Sequence, residues 1–551
     1  MKYSFVFFFL IFASCGVSKK KMLPPEIDNQ AYSLPKVTLL ADTLLYTEND
    51  YLLKNKFGIW EVYLSGKPYA MGLKSGALTQ KLYQRQDSLF FEKVKTFISS
   101  EKKIRFLHKF IRWFNRDVNK YVIKPFREEL LGQSMYSDSV YDFVASKYER
   151  SLYLHSAHDI GHALQDLMLV GCSSLAVWGQ ESEDGQLLIG RNFDFYLSDD
   201  FAREKIIRFV QPDSGIPFMS YAWGGMVGVF SGMNLDGLTV SINAGKSNLP
   251  MKAKTPISLV SREILQYAST IGEAIAIAKK KEVFVSESIL VGSAKDNKAV
   301  IIEMSPKKMD VYELKNTSRL ICTNHFQGKV YQSDKNNQKQ IKKTHTSYRF
   351  DKIQELMNVE KRLNPEKMAK ILRNTEGLDG KKLGYGNEKA LNQLLAHHSV
   401  IFQPEKKLVW ISTNPYQLGE FIAYDLNEIF KKSRKKEFSS MLIDSLTISK
   451  SNFLKTKAYQ DYESYRKLEN KFENDLKQKI TTPEAEMTLL CQLNPDYWKA
   501  YYLCGKIYYE QKKYHLAKTF FEKSLQKEIP YEKNKEMMVK YIRKCARKLK
   551  K

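Results

Sequence analysis

A cysteine and an Arg-Asn-x-Asp cluster lie near each other in this 551-residue sequence. Cys172 precedes a short apolar segment, residues 181–186 form a polar turn, and a second apolar segment leads to Arg191 and Asp194. This pattern predicts a β-hairpin, which brings its two ends together. A guanidinium next to a thiol favours the thiolate, so the spacing predicts an activated cysteine nucleophile. The same residues also fit a buried cysteine that opens a core strand, beside a solvated Arg/Asp pair.

The segment from Cys172 to Asp194 resembles the start of the mature catalytic chain in cysteine N-terminal-nucleophile (Ntn) hydrolases. It is similar to the choloylglycine hydrolase/penicillin V acylase group and to the isopenicillin N acyltransferase-like group. Three later segments share the resemblance: residues 232–244, which include Asn-Leu-Asp-Gly-Leu and Ser-Ile-Asn-Ala, Cys-Thr-Asn-His-Phe at 322–326, and Ser-Tyr-Arg at 347–349. The resemblance therefore extends over residues 60–430 and implies an α+β fold, the αββα sandwich of Ntn hydrolases.

The resemblance also implies that the chain cuts itself. Ntn hydrolases use the free α-amine of the nucleophile as general base, and an α-amine has a reference pKa of about 7.7–8.0, near working pH. Cys172 is internal, so its nitrogen is a non-basic amide until the Gly171–Cys172 bond breaks. We therefore expect autocatalytic cleavage by attack of the thiol on the Gly171 carbonyl, followed by hydrolysis of acyl amides through a Cys172 thioester, with water or another acceptor resolving it.

Five further residues take roles by resemblance. Asp194 is expected to orient the Cys172 amine, and Arg191 to stabilise charge around the thiol. Asn243 is expected to donate a hydrogen bond to the oxyanion, and Asn324 to hold the amine or the tetrahedral intermediate. Arg349 is expected to complete the network. The substrate class implied is a small acyl amide, and acyl transfer is as compatible with the sequence as hydrolysis.

Two other functions remain open. A Cys/His hydrolase would pair Cys172 with His325, His397 or His398 and would need no cleavage. A non-enzymatic scaffold would use the C-terminal helices to bind a protein partner while the hydrolase part is inert.

No cofactor or metal is expected. His158 and His162 are four residues apart and share a helix face, as zinc ligands can, but the usual glutamate is absent between them. His155 precedes them on the same predicted helix. We therefore expect these histidines to serve in packing or hydrogen bonding.

The N-terminus indicates an exported protein. Lys2 and an apolar run to residue 13 are typical of a bacterial secretory signal, and the small residues before Cys15 resemble a lipobox. We expect lipidation of Cys15 and anchoring to a membrane of the bacterial cell envelope. The formal net charge is +26, which in an exported protein favours anionic lipid or an acidic partner over nucleic acid. We expect no nucleic-acid binding.

The length predicts two or three domains. The expected segments are a signal peptide (1–15), a tether (16–55), a helical prosegment (56–171), the catalytic αββα domain (172–430), a basic linker (431–455) and a helical domain (456–551). In the last segment, Trp498, Gly505, Ala517 and Phe521 have the spacing of one tetratricopeptide repeat. A generic helical hairpin is the alternative.

Overall fold

Two β-sheets stacked face to face form the centre of the protein. The structure is a computed structural model that describes residues 22–28, 32–97, 109–163, 171–195, 198–246, 250, 252–395, 397–432 and 438–550. One sheet has eleven strands and the other has seven. Neighbouring strands are antiparallel throughout the described sheets except for one parallel pair.

The eleven-stranded sheet contains both N-terminal and central parts of the chain. In spatial order its strands are β1 (Thr38–Ala41), β2 (Leu44–Thr47), β3 (Asp50–Lys54), β4 (Trp60–Gly66), β7 (Ile206–Pro212), β8 (Phe218–Ala222), β9 (Ser231–Asn234), β10 (Leu238–Ala244), β11 (Glu287–Ser293), β12 (Lys298–Met304) and β13 (Met309–Tyr312). The parallel pair is β4 with β7, in which Trp60 lies opposite Ile206. Segments before and after Cys172 therefore share one sheet.

The seven-stranded sheet carries the hairpin that the sequence predicts. Its strands are β14 (Arg319–Cys322), β5 (Ser173–Val177), β6 (Leu188–Phe193), β15 (His398–Gln403), β16 (Leu408–Ser412), β17 (Phe421–Asp425) and β18 (Leu442–Ile448). Ser173 lies opposite Asn192 in the β5–β6 register, so Cys172 and Asp194 follow at the same end of the hairpin.

Helices cover both outer faces of the sheet pair. The helices before the C-terminal region are α1 (Pro68–Phe97), α2 (Val118–Tyr121), α3 (Lys124–Ser134), α4 (Lys147–Ala163), α5 (Asp199–Arg203), α6 (Ile257–Tyr267), α7 (Ile271–Lys279), α8 (Lys335–Lys343), α9 (Thr346–Glu360), α10 (Pro365–Leu372) and α11 (Leu426–Lys432). Helices α6 and α7 pack on the eleven-stranded sheet, and α9 and α10 pack on the seven-stranded sheet. Between the sheets lies a buried apolar layer that includes Ile189, Phe209, Leu290, Ile301, Phe402 and Ile411. This arrangement confirms the αββα sandwich.

The N-terminal helices are fixed to the sandwich by buried charge. Glu129 on α3 pairs with Arg208 on β7 and with Arg262 on α6, each at 3.0 Å. Gly72 on α1 lies so close to α3 that a Cβ there would be 2.1 Å from the carbonyl oxygen of Glu129. The segment before Cys172 is thus an integral layer of the fold.

The C-terminal region is helical, and it packs on the catalytic domain. Its helices are α12 (Lys457–Gln478), α13 (Glu484–Leu493), α14 (Trp498–Glu510), α15 (Tyr514–Leu525) and α16 (Glu532–Leu549). Their core includes Tyr462, Tyr465 and Trp498 together with Leu394 and Leu418 of the catalytic domain. A Cβ added at Gly505 on α14 would lie only 2.9 Å from the ring of Phe521 on α15. The two helices are therefore closely packed at this glycine. The tetratricopeptide assignment itself stays a prediction.

Two expected connecting segments contribute strands. Residues 38–54, expected as part of a tether, form β1, β2 and β3, because their apolar residues extend the eleven-stranded sheet beyond β4. Residues 442–448, expected as part of a basic linker, form β18 at the edge of the other sheet. The edge strands β1 and β18 contain only exposed and half-buried residues, so their apolar pattern is weak. Residues 1–15, including Cys15, lie outside the described residues.

Candidate active site

Cys172 lies at the entrance to β5 and is completely buried in the uncleaved chain. Nη2 of Arg191 lies 3.7 Å from the Cys172 sulfur, within reach of a hydrogen bond to sulfur. Burial raises the pKa of the Cys172 thiol, and Arg191 opposes that rise. The hairpin thus places the Arg191 guanidinium next to the Cys172 thiol, as the sequence predicts. Its positive charge favours the thiolate.

Arg191 is held rigidly between the two sheets. Its guanidinium lies over the ring of Phe193, with 4.4 Å between Cζ and the ring centroid. It donates hydrogen bonds to the carbonyl of Phe230 at 2.7 Å, to the hydroxyl of Ser231 and to the carbonyl of Ile242. These contacts fix the position of the charge next to the thiol.

Asp194 is the buried carboxylate at the other end of the hairpin. Its Oδ2 accepts a hydrogen bond from Gln393 at 3.3 Å, whereas its buried Oδ1 has no hydrogen-bond partner in the described part of the chain. Burial raises the pKa of Asp194 to about 7, although Arg349 and Arg191 both lower it. An acceptor is therefore available for a new donor near Cys172.

Arg349, which only a short motif indicated, makes four hydrogen bonds at the site. Its Nη1 donates to the Cys172 carbonyl at 2.6 Å and to the Ser173 hydroxyl at 2.7 Å. Its Nη2 donates to Oδ1 of Asn324 at 2.6 Å, and its Nε donates to Nδ1 of His345 at 2.9 Å. A buried arginine on α9 thereby holds the start of β5 in place.

The two asparagines lie close to this network, but their amide groups donate to backbone carbonyls. Nδ2 of Asn243 donates to the Cys322 carbonyl at 2.9 Å, and its Oδ1 accepts from Ser174. Nδ2 of Asn324 donates to the Ala244 carbonyl at 2.9 Å. In the uncleaved chain both side chains connect strands, and their expected roles toward an oxyanion or intermediate stay predictions.

Gln393 is a site residue that the sequence did not reveal. It is buried in the loop before β15, and its Nε2 donates to the Gly171 carbonyl at 3.0 Å. A single glutamine in a loop carries no motif, and 222 residues separate it from Gly171. Only the folded chain brings the two together.

The candidate histidines are engaged away from the thiol. His325 bonds to the hydroxyls of Thr323 and Thr346, and Nδ1 of His397 lies 2.8 Å from Nδ1 of His398. In the described part of the chain none of the three hydrogen-bonds to Cys172. Burial holds the pKa of each below its ordinary value, which keeps the rings neutral at pH 7. The geometry therefore does not support a thiolate–imidazolium pair.

His155 also has a structural role. Its Nδ1 bonds to the Ser151 carbonyl, and its Nε2 accepts from the backbone amides of Val227 and Gly228. The side chains of His158 and His162 lie outside the described residues. No group of three histidine, cysteine or acidic side chains in the described part of the chain is arranged to hold a metal ion.

Comparison with protein families identifies the central region. Residues 180–415 match the family model of acyl-coenzyme A:6-aminopenicillanic acid acyl-transferase. This acyltransferase-family region, named after the model that it matches, covers less than half of the 551-residue chain. The matched range begins after Cys172, so the nucleophile is assigned from the hairpin geometry. Of the expected site residues, the acyltransferase-family region contains Arg191, Asp194, Asn243, Asn324 and Arg349.

Two curated relatives are similar to part of this chain. An uncharacterised protein of Archaeoglobus fulgidus is 26% identical over 271 residues, 46% of this chain and 45% of the relative. The N-acylethanolamine-hydrolyzing acid amidase of Caenorhabditis elegans is 27% identical over 214 residues, 36% of this chain and 55% of the relative. The chain thus spans about half the length of these relatives.

A solved structure is also similar. A mutant of the conjugated bile acid hydrolase from Clostridium perfringens is 14% identical, with a TM-score of 0.32, and the match covers 47% of this chain and 93% of that protein.

Among the described residues, no helix is both long enough and apolar enough to cross a membrane.

Proposed function

We propose that this protein is a self-processing acyl amide hydrolase or acyltransferase that uses Cys172 as its nucleophile. The observation that carries the proposal is the hairpin end itself, where Arg191 faces the thiol and a buried oxygen of Asp194 has no hydrogen-bond partner among the described residues. Cleavage of the Gly171–Cys172 bond would create an α-amine close to that carboxylate. The amine would then have both a base-like pKa and an acceptor to orient it.

Self-cleavage needs one water molecule. The Cys172 sulfur bonds to the Gly171 carbonyl carbon, the C–N bond breaks, and the thiol proton ends on the Cys172 nitrogen. Water then hydrolyses the thioester, which returns the thiol and leaves a carboxylate on Gly171. Arg349 would hold the Cys172 carbonyl in place during these steps, because that carbonyl is C-terminal to the Gly171–Cys172 bond that breaks.

Substrate turnover would repeat the chemistry on a linear acyl amide. Cys172 would form a thioester with the acyl group, and water or an acceptor amine would release it. The name of the nematode relative specifies N-acylethanolamines, and the name of the family specifies acyl transfer to 6-aminopenicillanic acid. An acyl amide is the substrate in the first name and the product of transfer to an amine in the second, which supports an acyl amide as the substrate class here.

The two chains should remain associated after cleavage. Strands β1 to β4 precede the cleavage site, and β4 pairs with β7 over seven residue positions. The buried ion pairs of Glu129 with Arg208 and Arg262 also join the two chains. Gel filtration of cleaved protein should therefore show one species, and denaturing conditions should separate two.

The decisive experiment is intact mass and N-terminal sequencing of purified wild type, Cys172→Ala and Cys322→Ala. Cys322 is a matched control because it is also a buried, free cysteine at a strand end. Wild type and Cys322→Ala should yield a chain that begins at Cys172, whereas Cys172→Ala should stay intact. An uncleaved wild type that hydrolyses acyl amides would contradict self-processing.

The cellular location is a separate part of the proposal. Lipidation at Cys15 would anchor the protein to a membrane of the cell envelope, with the catalytic domain outside the cytoplasm. Replacement of Cys15 by Ala should move the protein from the membrane pellet to the supernatant. A pellet that retains the variant would contradict the lipid anchor.

A further inference from the structure

The carbonyl oxygen of Gly171 is the atom that would become negatively charged during self-cleavage, and Gln393 touches it. We propose that Gln393 is the oxyanion donor of the self-cleavage step. The proposal rests on the self-processing function proposed above. It assigns a catalytic role to a residue outside the hairpin and outside the family's expected site residues.

The contact has the geometry of an oxyanion donor. Nε2 of Gln393 lies 3.0 Å from the Gly171 oxygen in the uncleaved chain. Oxyanion donors act at about 2.7–3.1 Å from the oxyanion, so Gln393 is already within reach before the oxygen gains charge. The same nitrogen lies 3.3 Å from Oδ2 of Asp194. An amide nitrogen carries two hydrogens, so Gln393 can serve both oxygens at once. It thereby links the scissile carbonyl to the carboxylate expected to orient the new amine.

Gly171 is the residue that permits this approach. A Cβ at position 171 would lie 2.5 Å from Nε2 and 3.1 Å from Oε1 of Gln393. Both values are below ordinary contact distances, so any larger residue would displace the glutamine amide from the carbonyl. The glycine before the nucleophile is therefore explained by Gln393 and not only by access of the thiol.

The loop that carries Gln393 is fixed from two sides. Nδ2 of Asn392 donates to the Tyr416 carbonyl at 2.9 Å, and Oδ1 of Asn392 accepts from the Leu394 amide at 3.0 Å. The hydroxyl of Tyr462, on α12, donates to the Leu394 carbonyl at 3.2 Å. A donor held in place before the reaction needs no reorganisation as charge develops, and this is what makes oxyanion sites effective.

The other expected donors are occupied. Asn243 and Asn324 donate to the backbone carbonyls of Cys322 and Ala244 in the uncleaved chain. Among the described residues, Gln393 is the side chain that hydrogen-bonds to the Gly171 oxygen. When the sulfur attacks, the carbonyl electron pair moves to that oxygen, and the Gln393 N–H would stabilise it until the C–N bond breaks.

The test compares the rates at which newly refolded wild type, Gln393→Met and Gln403→Met cleave themselves. Methionine keeps the length of the side chain and removes the donor. Gln403 is a matched control, because it is a buried glutamine in β15 whose Nε2 donates to Asp184 at 2.8 Å. Gln393→Met should cleave about 10²–10³-fold more slowly than wild type, the usual loss for one oxyanion donor. Gln403→Met should cleave at the wild-type rate.

Gln393→Glu separates catalysis from packing. A glutamate at this position has a donor only when protonated, and Asp194 beside it favours the protonated form. The ratio of its cleavage rate to that of wild type should rise as the pH is lowered from about 8 to about 5. A ratio that does not change with pH would assign Gln393 a structural role only and would overturn the proposal, even if Gln393→Met fails to fold.

The remaining outcomes are distinct. A wild-type rate in Gln393→Met, with wild type cleaving, would overturn the role of Gln393 and leave self-processing intact. A wild type that never cleaves would overturn self-processing and the role of Gln393 together.

Discussion

The hairpin of residues 172–194 and the C-terminal helices of residues 457–549 both reach the candidate active site, in opposite ways. The hairpin supplies Cys172, Arg191 and Asp194, the groups that would react or carry charge. The C-terminal helices supply no reacting group. Their contact with the site is indirect. The hydroxyl of Tyr531 hydrogen-bonds to the imidazole of His345, and the hydroxyl of Tyr462 hydrogen-bonds to the loop that carries Gln393.

The hairpin residues would thus take part in the reaction, whereas the C-terminal residues hold other site residues in position. Loss of a hairpin side chain should remove a charge or a nucleophile from the reaction itself. Loss of a C-terminal contact should only loosen Arg349 or Gln393. The following predictions test that distinction, and their expected effects decrease in order.

Arg191→Met should slow self-cleavage by about 10–10³-fold, because the buried thiol would lose the positive charge that opposes the rise of its pKa, and a neighbouring opposite charge changes a pKa by about 1–3. The measurement is the time course of fragment formation, with thermal unfolding as a check of folding. Arg373→Met is the matched control. Arg373 also lies over an aromatic ring, that of Phe421 at 4.8 Å, and also donates to backbone carbonyls. Equal rates in the two variants would contradict a special role for Arg191.

Asp194→Asn should stabilise the uncleaved chain at neutral and higher pH, by about 4 kcal/mol. Burial raises the pKa of Asp194 to about 7, so the folded state holds its proton more tightly than the unfolded state does. The free energy of unfolding therefore falls as pH rises from about 4 to about 7, while asparagine does not titrate.

Thermal unfolding in the Cys172→Ala background would measure this effect without cleavage. The difference between the aspartate and asparagine forms should be small near pH 4, grow up to about pH 7 and then stay constant. A difference that is independent of pH would contradict the raised pKa. The same substitution in the Cys172 chain should impair cleavage or turnover, since the amine would lose its charged acceptor.

Tyr531→Phe should have the smallest effect, a loss of about 1 kcal/mol in stability and a several-fold slower cleavage. Nδ1 of His345 accepts from Arg349, so its Nε2 carries the hydrogen and donates to the Tyr531 hydroxyl at 2.9 Å. Phenylalanine would leave that buried N–H without an acceptor. If the hydrogen moved to Nδ1 of His345, Nε of Arg349 would lose its acceptor instead.

The control for this prediction is Tyr501→Phe. The hydroxyl of Tyr501 donates to the Pro495 carbonyl at 2.9 Å on the exposed surface of the same helical region. Denaturant unfolding and the cleavage time course should distinguish the two variants. A wild-type cleavage rate in Tyr531→Phe would show that the C-terminal helices do not influence Arg349.

The parts of the fold that are close in sequence were predictable. Two apolar segments around a polar turn predicted the β5–β6 hairpin. Its register places Arg191 opposite Ser174, two residues from Cys172 and on the same face of the sheet. The edge strands β1 and β18 were missed, because none of their residues is buried and their apolar pattern is weak.

The sequence by itself determined the nucleophile candidate and its neighbouring charges through local periodicity and short motifs, and the family resemblance of those motifs implied the αββα class. The tertiary structure decided what surrounds them. It placed Gln393 on the Gly171 carbonyl, set His345 and Tyr531 behind Arg349, and directed Asn243 and Asn324 to backbone carbonyls. The physical reason is that a hydrogen bond between residues far apart in the chain depends on the packing of several elements, which no local pattern encodes.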